Sequence, residues 1–429
     1  MKRSTAAVTA LLLALTGCSS GDGGSGGDDA NTLTLAGWSL ATTPEFKVLA
    51  DGFHAKYPDV TVALKEYDPK NYDTQMIADL AAGKAPDVYV QKTLKNFYTY
   101  QNGKQLLDVS DVASGLGSGT NGLSSYQVEG KTYAIPYRQD SWVIYYNKAL
   151  FDQAKVKYPD GSWTWDDYAD AGKRLTTGLK AAGSKALGVY EHVWQSTLQG
   201  FALAQSPGAD LTSGNFGYLK PYYTRAVDLQ KAGAQVSLGD ATTNNLTYQA
   251  QFGKQQAAMM TMGTWYIATL LSQQKSGDAD RFEWGIAPAP QLDKSTTGTS
   301  ATPVTFADPT GMGINPKINK DRIDTAKKFL AYAGSADAAK ALAGIGITPA
   351  NTDAAAGTIF AIPGVPTDAV SKFAFTKHDT KPENPVGKNT APLQNILNDL
   401  HTAVLSGSKD IDTAIAEAQE RAKNEVLTK

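Results

Sequence analysis

One cysteine, Cys18, is all the thiol chemistry that the 429 residues hold, so neither a disulfide framework nor a cysteine-built metal centre can form. Histidine is nearly as scarce. His54, His192, His378 and His401 lie far apart, without the HExxH or HxH spacing that brings two imidazoles to one metal. No phosphate-cradling glycine loop occurs, and no cofactor is expected. Charge of either sign is modest, at 40 basic against 42 acidic residues, or 38 basic once Lys2 and Arg3 leave with an N-terminal leader. Without basic runs, that mild acidity argues against nucleic acid as a partner. No run reaches the 18 consecutive apolar residues of a membrane-spanning helix. What remains is ordinary: 42% hydrophobic and 19% charged, a globular composition on a chain long enough for two or three domains.

The first residues are the most informative short stretch. Lys2 and Arg3 precede Thr5–Thr16 (TAAVTALLLALT), an apolar run too short to cross ~30 Å of hydrocarbon but of the length and flanks of a secretory h-region. The tetrad Leu15-Thr16-Gly17-Cys18 resembles a bacterial lipobox. That resemblance implies a signal peptide over 1–17 and lipidation of Cys18, placing the chain on the extracytoplasmic face of the cell membrane. Residues 18–31 are Gly-, Ser- and Asp-rich, too poor in apolar side chains to offset their ordering entropy, and read as a flexible tether. Gly23-Gly24-Ser25-Gly26-Gly27 matches the GxSxG pattern only formally, since no strand precedes it and no helix follows. Contact with the membrane is then through lipid alone, several acyl chains on one residue meeting the need for more than one anchor.

Beyond the tether, Leu33–Ala36 reads as a strand ending at Gly37-Trp38, and Thr43 as the cap of a helix with Pro44 in its first turn. Phe46, Leu49, Ala50 and Phe53 recur at helical spacing. Val60–Leu64 alternates as a second strand, Tyr72–Ala82 is helical up to Gly83, and Val88–Val90 is a third strand. This pace signals an α/β open sheet flanked by helices, in which ligands bind beyond the carboxyl ends of the strands. Further on, Trp142–Tyr146 and Ala257–Gly263 read as strands. Thr164 with Asp167 forms a capping box, and helices are expected near 218–232, 325–333, 393–405 and 411–426.

Six segments, in order, resemble the sugar-binding branch of bacterial extracellular solute-binding proteins, the substrate-binding lipoproteins of ABC transporters. They are Tyr57-Pro58-Asp59-Val60, Ala85-Pro86-Asp87-Val88, Gly130–Tyr137, Tyr145–Phe151, Thr164–Asp167, and Phe252–Met259 with Gly263-Thr264-Trp265. The resemblance implies a type II periplasmic-binding fold of two α/β lobes, each an open sheet flanked by helices, with the ligand cleft at the hinge. Lobe one would hold residues 32–139 and 302–350, lobe two 140–301 and 351–429, with the hinge near Tyr137–Asp140 and Thr302. The implied function is capture of a sugar or oligosaccharide and delivery to the transmembrane subunits of an ABC importer, by a monomer.

A sugar presents apolar ring faces to aromatic rings and a rim of hydroxyls to planar polar side chains. Trp265, Trp38 and Trp194 are the stacking candidates; Asp140, Lys92, Glu66 and Asp308 are the candidates for hydroxyls. Arg138 could instead form an ion pair at the hinge, and Asn384 is a weaker candidate. Two other readings stay open. One is a binder of a non-sugar solute, an acidic sugar derivative or a peptide, for which Lys92 and Arg138 leave room. The other is a secreted hydrolase, although the pairs Asp166-Asp167 and Asp28-Asp29 are explained by a helix start and the tether.

Overall fold

The computed structural model describes residues 31–117, 119–352, 355 and 357–428; the expected leader, Cys18 and nearly all of the tether lie outside them. The expected alternation comes first: β1 (Thr32–Trp38), α1 (Glu45–Lys56), β2 (Thr61–Tyr67), α2 (Tyr72–Ala82) and β3 (Val88–Gln91). β1 pairs in parallel with β2 on one side and β3 on the other. β3 is buried at all four positions, as a central strand covered on both faces must be, while β2 at the edge is largely exposed. α1 buries Phe46, Leu49, Ala50 and Phe53 as its spacing predicts. Thr43 does not cap it; Pro44 occupies the capping position and no side chain bonds to the first turn.

The later strands are β4 (Ile135–Gln139), β5 (Trp142–Asn147), β6 (Leu187–Val189), β7 (Ala257–Gly263), β8 (Trp284–Pro288), β9 (Val304–Phe306), β10 (Pro309–Ile314) and β11 (Asp379–Lys381). Two main sheets result. The first has the order β2-β1-β3-β10-β4, with β10 antiparallel to both its neighbours. The second has the order β8-β5-β7-β6, antiparallel except for the β6–β7 pair. Helices that matter below are α3 (Trp165–Ala181), α4 (Ser196–Gln205), α5 (Lys220–Lys231), α6 (Tyr266–Ser276), α7 (Lys320–Ala333), α8 (Thr390–Leu405) and α9 (Ile411–Arg421).

Each sheet has its own core. Leu35, Phe46, Val90, Ile135, Met312 and Phe329 cluster around the first; Ile144, Leu175, Phe201, Met259 and Leu397 around the second. The chain passes between them three times. Asp140 and Ser141 join β4 to β5. The return lies at Ala307-Asp308 rather than near Thr302, because β9 pairs with β11 and the Phe306 ring stacks on Trp142 in the second core at 5.0 Å. The third passage follows Thr348–Ala350, which bonds along β4: Gln139 N–H donates to the Thr348 carbonyl and Ala350 N–H to that of Tyr137. This is a two-lobed α/β fold with the passages at its waist.

Candidate ligand cleft

The carboxyl ends of β1 and β3 bring Trp38 and Lys92 together, though not as expected. Trp38 is 7% exposed, its ring edge-on to Phe46 and Tyr72 at 5.0 and 5.2 Å. A slot between two helices takes the indole out of water, worth about 2–3 kcal/mol. Trp38 is therefore a core residue, not an open stacking plate. Lys92 sits with its ammonium 5.0 Å from that ring centroid and donates to the Pro69 carbonyl at 2.6 Å. Burial pushes its pKa down; Asp73 and Asp68 oppose the fall, and Arg138 adds to it. Glu66, at the end of β2, is exposed and accepts from Leu40 N–H at 3.0 Å, tying the loop after β1 to its neighbour.

At the first passage a buried polar knot forms. Arg138 donates through Nη1 to both Glu45 oxygens, at 2.9 and 2.6 Å, and its Nε lies 2.9 Å from Asp140 Oδ2. Asp140 Oδ1 accepts the Thr264 hydroxyl at 3.0 Å, and Thr264 in turn accepts from Thr348 at 2.8 Å. Glu45 and Arg138 belong to the first lobe, Thr264 to the second and Thr348 to the third passage. Asp140 thus lies between Arg138 and Thr264, and protein groups engage both its oxygens. Burial pushes its carboxyl up to about 6, with Arg138 and Thr264 pulling the other way.

Asp308 is engaged more fully. Leu94 N–H and Asn384 Nδ2 donate to Oδ2 at 2.9 and 2.6 Å; Glu383 and Asn384 N–H donate to Oδ1, each at 3.0 Å. Four donors on one half-buried carboxylate make a latch between the strand end of β3 and the segment after β11. Asn384 is its partner rather than an independent contact.

The second lobe supplies an aromatic face. Trp265 follows β7 and is half-buried, edge-on to Trp142 at 5.5 Å. Tyr248, buried beside it, feels the charges of Arg138 and Asp140 across the hinge. Trp194 is 41% exposed and lies edge-on to His192 at 4.5 Å and to Tyr248 at 5.6 Å. Burial pushes the His192 imidazole down to about 4, and the charge of Lys70 from the first lobe adds to the fall. Tyr248 and His192 escaped sequence reasoning. Nothing in their spacing sets them apart from the other 19 tyrosines and three histidines. A second interlobe space, about 720 Å³, is lined by Gln139, Ala307, Pro309, Thr348, Phe375 and His378.

Two α/β lobes, three passages, and polar and aromatic surfaces define a hinged solute-binding protein. The chain belongs to the family of bacterial extracellular solute-binding proteins, whose profile matches residues 49–368. The resemblance read from the six segments is thereby borne out. A Rhizobium etli sugar transporter solved in an open conformation is 28% identical, with a TM-score of 0.75 over 92% of this chain and 99% of that one. A binding protein of Brucella abortus is 25% identical over 274 residues, 62% of this chain and 64% of that protein. An uncharacterised lipoprotein of Streptomyces antibioticus is 29% identical over 189 residues, 41% of this chain and 39% of that protein. The alignments thus span less than two thirds of these two curated relatives. No helix among the described residues is long and apolar enough to cross a membrane, and no group of side chains among them could hold a metal ion.

Proposed function

We propose that this protein captures a neutral, hydroxylated solute, a sugar or oligosaccharide, and delivers it unaltered to the membrane subunits of an ABC importer. The observation that carries this reading is the aromatic cluster of Trp194, His192 and Tyr248, with Trp265 nearby at the end of β7. The exposed Trp194 and half-buried Trp265 rings offer apolar faces to sugar C–H groups, and Lys92 keeps two N–H donors free of its bond to Pro69. The Rhizobium etli relative, a sugar transporter, points the same way. Contacts from both lobes are available together only when the lobes approach, so binding shifts the population toward closure.

We take the ligand contacts to be Trp265, Trp194 and Lys92, with the buried Tyr248 and His192 packed behind Trp194 and Glu66 at the rim. Trp38, Asp140 and Asp308 shape the cleft without lending free atoms to it. We place the lobes at 32–139 with 308–350 and at 140–307 with 351–428, the site of Phe306 in the second core moving the boundary from 302. Anchoring through Cys18 is supported by the lipobox-like tetrad and by the lipoprotein relative from Streptomyces antibioticus. Thermal-shift screening against mono- and oligosaccharides, followed by calorimetry, tests the reading. A hit should lose tenfold or more in affinity in Trp265→Ala, equivalent to about 1.4 kcal/mol. Stabilisation only by peptides, or turnover of a chromogenic glycoside, would displace it.

A further inference from the structure

Behind the aromatic face lies a polar cluster that ligand contact does not explain. Both carboxylate oxygens of Glu191, the Tyr168 hydroxyl, and Nε and Nη2 of Arg225 are buried without a hydrogen-bond partner. Glu191 is 5% exposed, Arg225 8% and Tyr168 0%. They come from three elements: the segment after β6, α5 and α3. Each acts on the next. Burial raises the Glu191 carboxyl and Arg225 pulls it back; burial lowers the Arg225 guanidinium, and Glu191 and Tyr168 hold it up. The guanidinium is fixed in orientation by Trp165 and Tyr222, whose ring centroids lie 4.0 and 4.9 Å away. A bare carboxylate and a bare guanidinium in an interior cost several kcal/mol each, and internal water is the ordinary remedy where no side chain reaches.

The segment they meet beneath is the one that presents the wall. Tyr190 and His192 lie on one side of the chain, hydroxyl to ring nitrogen at 2.9 Å, with the buried Glu191 between them. His192 contacts Trp194 at 4.5 Å and Tyr248 at 5.4 Å. Movement of the backbone at residue 191 is therefore passed to both rings.

We propose that Glu191, Arg225 and Tyr168 form a water-bridged network that positions the wall: it pins residue 191 and so sets where His192 and Trp194 stand in the cleft. The functional weight of this rests on reading that face as the ligand wall, whereas the positioning itself can be measured without any ligand. The full chain labelled with 5-fluorotryptophan carries seven fluorine probes, and Trp194→Phe assigns the one at 194. In Glu191→Gln, which keeps the shape and removes the charge, the Trp194 resonance should shift or broaden while that of Trp38 in the other lobe holds still. Glu191→Leu alone strands Arg225 and should lower the melting temperature. Adding Arg225→Met should restore much of the melting temperature yet leave the Trp194 resonance displaced, a separation that simple charge compensation would not give. A Trp194 resonance at its wild-type position in both Glu191→Gln and the double variant overturns the proposal. Since no sugar is present, a failure of the sugar reading leaves this result intact, and the reverse holds too.

Discussion

At position 263 the fold accepts nothing larger than hydrogen, for a Cβ there would lie 1.8 Å from the Trp265 ring. Gly263→Ala should therefore push the indole out of its place against Trp142, at about 1–3 kcal/mol of overpacking. The expected result is a changed near-ultraviolet circular dichroism spectrum together with a tenfold or greater loss of sugar affinity by calorimetry. Unchanged spectra would mean that the ring has room the geometry denies. The Gly-x-Trp segment was legible in the sequence because it ends a continuous apolar strand. Trp38 was not, although it too ends a strand beside glycine. Which side of the strand meets a slot between α1 and α2 depends on Phe46 and Tyr72, and no local pattern states that. Asp140 was half legible. Its place at the passage follows from chain order, but its partner Thr264 stands 124 positions away, and the Glu45 that Arg138 grips stands 93 from it.

Helix ends show the same division between near and far. Thr164 and Asp167 cap α3 reciprocally, Thr164 N–H donating to Asp167 Oδ2 at 2.8 Å and Asp167 N–H to the Thr164 hydroxyl at 3.3 Å. Both partners lie within four residues, so the sequence could show them. Thr164→Ala should cost about 1 kcal/mol, seen as a lower urea midpoint at unchanged slope. α8 carries a less visible device. His401 is buried, its Nδ1 3.0 Å from the Tyr223 hydroxyl, and burial pushes its pKa down to about 4 from 6.5. The folded chain therefore binds fewer protons at this site than the unfolded one between those values. Its contribution is fully present above about 6.5 and is lost as pH falls toward 4, on the order of 3 kcal/mol. Asp140, raised to about 6, acts with the opposite sign in the same window, but it is common to both proteins when His401→Gln is compared with wild type. Urea titrations should show the variant less stable at pH 7 and the gap closing or reversing at pH 4.5. A gap that stays constant would mean that the imidazole titrates normally in the folded chain.

For the molecule as a whole, the question is what the waist allows. Three passages would permit rotation, but two polar clusters limit where it can occur. The knot at Asp140 joins Arg138, Thr264 and Thr348, and the latch at Asp308 joins Leu94 to Glu383 and Asn384. Sequence reading reached the Arg138 ion pair at the hinge but not the rest of either cluster, since those residues approach only once both sheets are built. Opening either within the interior would strand donors at about 1–3 kcal/mol apiece, so rotation should leave both intact and proceed by small backbone changes around them. Asp308→Ala removes the acceptor of four donors at once. It should lower stability by several kcal/mol and, if the latch fixes the axis, also broaden the range of lobe separations. Small-angle scattering reads the second effect. Wild type should contract on saturation with a sugar that stabilises it. Asp308→Ala, measured at a temperature where it remains folded, should begin from a larger radius of gyration and contract further. An unliganded radius equal to that of wild type would show that Asp308 supports the fold without guiding the hinge, and would leave the knot at Asp140 as the axis on which the lobes turn.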